Sequence, residues 1–238
     1  MKSRYTLLIS SIGLISACQQ QPERSSPGTA KSVPLEQASS CACPADVPVS
    51  ELKPDTLFAF SNGQVASVCG SKETIENRVL YSEFAVSSCQ SSKVLHYWDL
   101  REQCQLVFQN DTLSVNTLKY LPVGKNFKYE FVPFKIYLFF PKQDQVGQTA
   151  FLNHNLRSYS TEEQAQVLRA FEKMTGKKEG QKIDIANQLF VAALSGNLQA
   201  LSYFRKLKAD FPIGEETSKE YFALERLLRD WQQDAVAK

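Results

Sequence analysis

The residues best suited to chemistry are six cysteines, Cys18, Cys41, Cys43, Cys69, Cys89 and Cys104, and two histidines, His96 and His154. A thiolate can attack, ligate a soft metal or join a disulfide, and an imidazole can move a proton near neutral pH. Spacing removes most of these options. Cys41-Ala42-Cys43 has a one-residue spacer, shorter than redox or zinc motifs use, and no histidine follows at zinc-finger distance. The two histidines are not four apart on a helix, as a metal pair would be. His96 lies between Leu95 and Tyr97 in a strand-like run and reads as structural or surface; His154, in FLNHNL, reads as a linker or capping residue. There is no Gly-x-Ser-x-Gly elbow and no phosphate-cradling glycine loop. Glu162 and Glu163 fall in a helix first turn, where the helix dipole accounts for them. Catalysis would need a pocket in which His96, Asp99 or strand carboxylates such as Glu83 and Glu130 converge. No catalytic residue, metal ligand or cofactor site is assigned.

The amino terminus is more informative. Lys2 and Arg4 precede an uncharged, mostly apolar run from Thr6 to Ile15, too short to span a bilayer, which takes about 20 helical residues. A basic start, a short apolar core and small residues at the break make a signal peptide. Ile15-Ser16-Ala17-Cys18 resembles the lipobox of bacterial lipoproteins. The resemblance implies cleavage after Ala17, acylation of Cys18 and a permanent lipid anchor, since several acyl chains exceed the threshold for stable anchoring. The resemblance further implies, from Gln19 rather than Asp after the cysteine, sorting to the outer membrane over the inner one as in enterobacteria-like lipoproteins. Membrane lipid is thus the first expected partner.

Loss of residues 1–17 removes Lys2 and Arg4 and no acid, so the formal charge of +2 falls to zero. No polybasic run remains, which argues against nucleic acid as a partner. Beyond Cys18 five cysteines are left, an odd number, so at least one is free or pairs with another molecule.

Residues 18–55 hold six of the ten prolines with many Ser, Ala and Gln, and read as the lipidated cysteine and a flexible tether. Residues 56–150 carry a period of two and read as an antiparallel β domain of about seven strands. Asn62-Gly63 and Asn110-Asp111 are hairpin signals, and Pro133 should bulge, bend or edge the last strand. In such a meander Cys69 ends one strand and Cys104 opens another at the same end, so these two are the expected disulfide. Residues 151–238 change to helical periodicity. Ser160-Thr161-Glu162-Glu163 makes a capping box, Asn197 caps a third helix, and Tyr221, Leu224, Leu228 and Trp231 stripe a fourth.

Seven aromatics fall between Phe127 and Phe140. Core accounts for most; any left uncovered, Tyr129, Tyr137 and Phe139 first, are candidates for a partner or glycan surface. The expected fold is α+β: an antiparallel meander, as sandwich or small barrel, followed by a bundle of about four helices. The expected function is a non-catalytic binding or assembly module anchored in the cell envelope, with a protein or glycan partner. The alternatives are an inhibitor or immunity-type lipoprotein that neutralises a toxin or hydrolase and, third, an envelope enzyme.

Overall fold

The computed structural model describes residues 41–45, 47–48, 53–75, 77–99, 102–174, 176, 178–212 and 216–236; the expected signal peptide, Cys18 and the expected tether to residue 40 lie outside them. Eight strands form one antiparallel sheet: β1 (Thr56–Ala59), β2 (Val65–Ile75), β3 (Arg78–Ser88), β4 (Val94–Trp98), β5 (Gln103–Gln109), β6 (Thr112–Leu121), β7 (Glu130–Lys142) and β8 (Gln145–Leu152). The order is β1-β2-β3-β5-β6-β7-β8, and β4 pairs with β3. Four helices follow: α1 (Thr161–Glu172), α2 (Glu179–Leu194), α3 (Leu198–Lys206) and α4 (Glu216–Val236). The protein is therefore α+β, a meander and then helices.

Turn chemistry sets the hairpins. Gly63 takes φ +79°, and Asn110 and Asp111 take φ of +50° and +60°, the left-handed values a tight hairpin needs. The sheet curls until its hairpin tips meet. The Ser61 amide donates to Asp111 Oδ1 at 2.8 Å, and Asn62 Nδ2 donates to the carbonyls of Gln143 and Gln145 at 2.8 and 3.1 Å. No pairing of β1 with β8 closes the curl among the described strands.

Two irregularities matter. Ser71 opposes Glu83 but Lys72 opposes Tyr81, so Ser82 is an extra residue in β3, and the side chains beyond it change face. Pro133 lies opposite a second register shift, between Thr117 and Leu118, and β8 pairs with β7 only from Lys135 onward. Of the outcomes expected at Pro133, the strand takes the bulge. The eighth strand, β8, goes beyond the expected seven, because its polar run with Gly147 hides the alternation.

The inner face of the curl buries Ala66, Val68, Phe84, Val86, Trp98, Cys104, Val115 and Phe139. A second cluster joins the helices to the sheet end: Leu121, Val123 and Phe134 pack among Leu189, Phe190, Phe204, Tyr221 and Leu228. The capping box is present, with Ser160 Oγ accepting from the Glu163 amide at 3.2 Å, and Asn197 Oδ1 accepts from the Ala200 amide at 2.8 Å.

Candidate functional site

The cysteines resolve differently from the expectation. Cys43 is bonded to Cys69 and Cys41 to Cys89, while Cys104 is a buried free thiol. The expected Cys69–Cys104 bond is absent because the two residues face opposite sides of the sheet. Cys69 opposes Ala85 on the outer face, whereas Cys104 opposes Tyr81, beyond the Ser82 bulge, and joins the inner cluster. Strand ends alone gave the wrong partner, since neither the bulge nor the face enters that reasoning. The bonds also correct the tether boundary: residues 41–43 are clamped to the outer face of the β2–β3 hairpin. Val65, Ser67, Cys69, Ala85 and Ser87 are buried on that face. Burial pushes the Cys104 thiol far above its ordinary pKa, with Glu102 adding to it, so this sulfur is protonated and inert.

The start of β1 is tied down by a polar knot. Lys72 Nζ lies 2.5 Å from Asp55 Oδ1, and the Tyr81 hydroxyl donates to Asp55 Oδ2. Burial would raise the Asp55 pKa, but hydrogen bonds from Lys72, Tyr81 and Thr56 outweigh it and hold the carboxyl below its usual range. Burial and Asp55 together push Tyr81 up to about 12. This arrangement is structural.

A two-lobed recess lies where α4 crosses the mouth of the curled sheet. It has two adjoining lobes of about 540 and 500 Å³, within the size range of ligand pockets. Glu102, Lys119, Leu227 and Asp230 line both. The first lobe adds His96, Trp98, Asp99 and Arg226; the second adds Phe134, Lys135, Phe151 and Asp234. Of the groups a catalytic reading would need to converge, His96 and Asp99 line the same lobe, while Glu83 and Glu130 line neither. The His96 ring centroid is 4.3 Å from Trp98 and 4.5 Å from Tyr137. Burial among them, with Lys135 second, lowers its pKa below the ordinary 6.5, so His96 is neutral at pH 7. The Trp98 indole N–H is buried without a hydrogen-bond partner among the described residues.

His154 does more than link. Its Nε2 lies 2.6 Å from Asp234 Oδ2, and its ring centroid is 4.2 Å from Trp231. It borders a smaller recess of about 200 Å³ with Arg157, Ser158 and Ser195. Ser195 is already committed, donating to the Val191 carbonyl at 2.8 Å and accepting from the Tyr159 amide at 2.9 Å.

The three aromatics nominated as a surface do not form one. Phe139 is fully buried in the inner cluster, which corrects its nomination. Tyr137 is half-buried between His96 and Trp98, with Lys135 Nζ 4.8 Å above its ring. Tyr129 is half-buried and donates to Asp184 Oδ1 at 3.0 Å; burial first, then Asp184, pushes its pKa well above the tyrosine range. The exposed aromatic here is Tyr120, whose ring lies 5.2 Å from Tyr129 and 4.9 Å from Phe131. Glu102, Lys119, Arg226 and Asp230 carried no sequence signal, because only the crossing of α4 over the sheet brings them together. Among family models, curated proteins and solved structures, nothing matches this chain.

Proposed function

We propose that this protein is a lipid-anchored binding module of the cell envelope, held through Cys18 with the outer membrane as its site, and that its ligand seat is the cleft between the sheet and α4. The cleft carries the reading: a recess of ligand size, lined by charges of both signs on a sheet-and-helix frame, suits recognition. Two disulfides support an oxidising compartment, where such bonds persist. Crosslinking of the full-length protein in living cells, with Cys18→Ala as control, tests it. An envelope partner mapped to residues around Asp230, and lost without the anchor, supports the reading; crosslinks only outside the cleft sink it. A partner that is itself a toxin or hydrolase would select the inhibitor reading.

A second reading, an envelope enzyme, is favoured by the His154–Asp234 pair beside Ser158. It requires His154→Ala to abolish a hydrolytic activity in purified protein, and absence of any turnover across ester, amide and glycoside substrates removes it.

A further inference from the structure

We infer that the cleft takes a short peptide, about four or five residues long in extended form, with both ends charged; resting on the binding-module reading, this adds the class of ligand. Length follows from α4. Ala223, Arg226, Leu227, Asp230, Gln233 and Asp234 line the two lobes at spacings that keep them on one stripe of the helix. Ala223 to Asp234 spans about 16 Å at about 1.5 Å per residue. An extended chain covers that in about five residues at about 3.3 Å each.

Charge narrows the chemistry. The first lobe presents Lys119 and Arg226 with Asp99, Glu102 and Asp230; the second presents Lys119 and Lys135 with Glu102, Asp230 and Asp234. A polyanion would meet carboxylates in either lobe, and a polycation would meet ammonium or guanidinium groups. Each wall mixes the two signs, and Lys119 pairs with Glu102 at 4.0 Å, so a ligand that carries both signs finds a counter-charge in either lobe. A neutral sugar would leave these charged groups without counter-charges, and of the cleft's aromatics Trp98 and Phe134 are closed to it while Phe151 is open. Trp98 is 2% exposed and stacks on Phe84 at 4.5 Å with planes 4° apart, and Phe134 is 1% exposed. Peptide side chains find Leu227, Ala150 and Phe151 instead. The second lobe also borders β8, the end strand of the sheet order, whose outer main-chain groups no described strand pairs.

Arg226 and Asp230 are exposed and one helical turn apart, so their removal should leave the fold intact. The test exposes the full chain to three probes: a mixed pool of tetrapeptides with free ends, the same pool acetylated and amidated, and chitotetraose. Retained molecules are identified by mass spectrometry, and affinities are measured by calorimetry. Retention of free-ended peptides is expected, with at least tenfold weaker binding after blocking the ends. Arg226→Ala and Asp230→Ala should each weaken binding at least tenfold at unchanged Tm. Equal binding of blocked peptides, or preference for chitotetraose, overturns the ligand class while the binding-module reading stands. Peptide binding unaffected by either substitution, or no retention of any peptide, overturns the inference; crosslinks that map outside the cleft would sink the underlying reading instead.

Discussion

Cys43 is bonded to Cys69 across the outer face of β2, and with Cys41–Cys89 this places residues 41–43 against the sheet. Five cysteines follow Cys18, and two bonds leave Cys104 alone. In a Cys18→Ala chain, maleimide should label no cysteine when native, one after denaturation without reductant, and five after reduction. A labelled peptide containing Cys41, Cys43 or Cys89 in the unreduced denatured chain would contradict the pairing. Closing the 26- and 48-residue separations corresponds to about 3.5 and about 4 kcal/mol of loop entropy taken singly. Each bond removed by paired Cys→Ser substitution should lower stability by about that much in urea titration. The two loops are nested, so the losses should not add.

Much of the fold was legible in the sequence, for local reasons. Asn62-Gly63, Asn110-Asp111, Ser160 and Asn197 act within a few residues of themselves, so turn and cap chemistry located them directly. The disulfides were not legible. Their partners depend on which face each strand residue takes, and the single extra residue Ser82 inverts that face partway along β3. The cleft was hidden for a similar reason. Lys119 and Asp230 come together only because α4 crosses the mouth of the curl, and no periodicity in either segment records that crossing.

Gly70 is fixed by close approach. Its φ is +157°, and a Cβ built there would sit 2.2 Å from the Glu83 carbonyl oxygen and 2.4 Å from the Phe84 Cα. Both are backbone atoms that cannot swing aside, so β2 and β3 would have to separate beside the bulge. Gly70→Ala should cost roughly 3 kcal/mol or more, the range of strained core substitutions. Far-UV dichroism and urea midpoints would measure it. A variant as stable as the parent would show that the hairpin relaxes without losing its pairing.

His96 makes stability depend on pH with a definite sign. Burial beside Trp98 and Tyr137, with Lys135 second, lowers its pKa below 6.5. The unfolded chain then binds a proton that the folded chain resists. The stabilisation from a neutral His96 is present above about pH 6.5 and is lost as pH falls through the lower folded value. Urea midpoints should therefore decline as pH falls through that window. His96→Phe keeps a ring in the aromatic cluster and removes the proton site, so its decline should be shallower. Parallel curves for parent and variant would assign the acid sensitivity elsewhere.

Phe134 is the residue through which sheet and helices share a core. It belongs to β7, yet its ring lies 5.6 Å from Trp231 of α4 and 6.2 Å from Phe190 of α2. It is almost fully buried, so Phe134→Ala removes a whole ring and leaves a cavity, at a cost of about 3–5 kcal/mol. The site of that loss matters more than its size. Phe134 and Leu121 are the fully buried sheet residues of the helical cluster, with Val132 and Leu152 packed beside them, so the parent should unfold in one cooperative step. In the variant the helices lose their principal anchor while the two disulfides still hold β2 and β3. Helical dichroism at 222 nm should then fall at lower urea than that at which maleimide gains access to Cys104, the buried thiol of the sheet's inner cluster. Coincident transitions in the variant would mean that the remaining contacts, Leu121 and Val123 among them, suffice to couple the two halves.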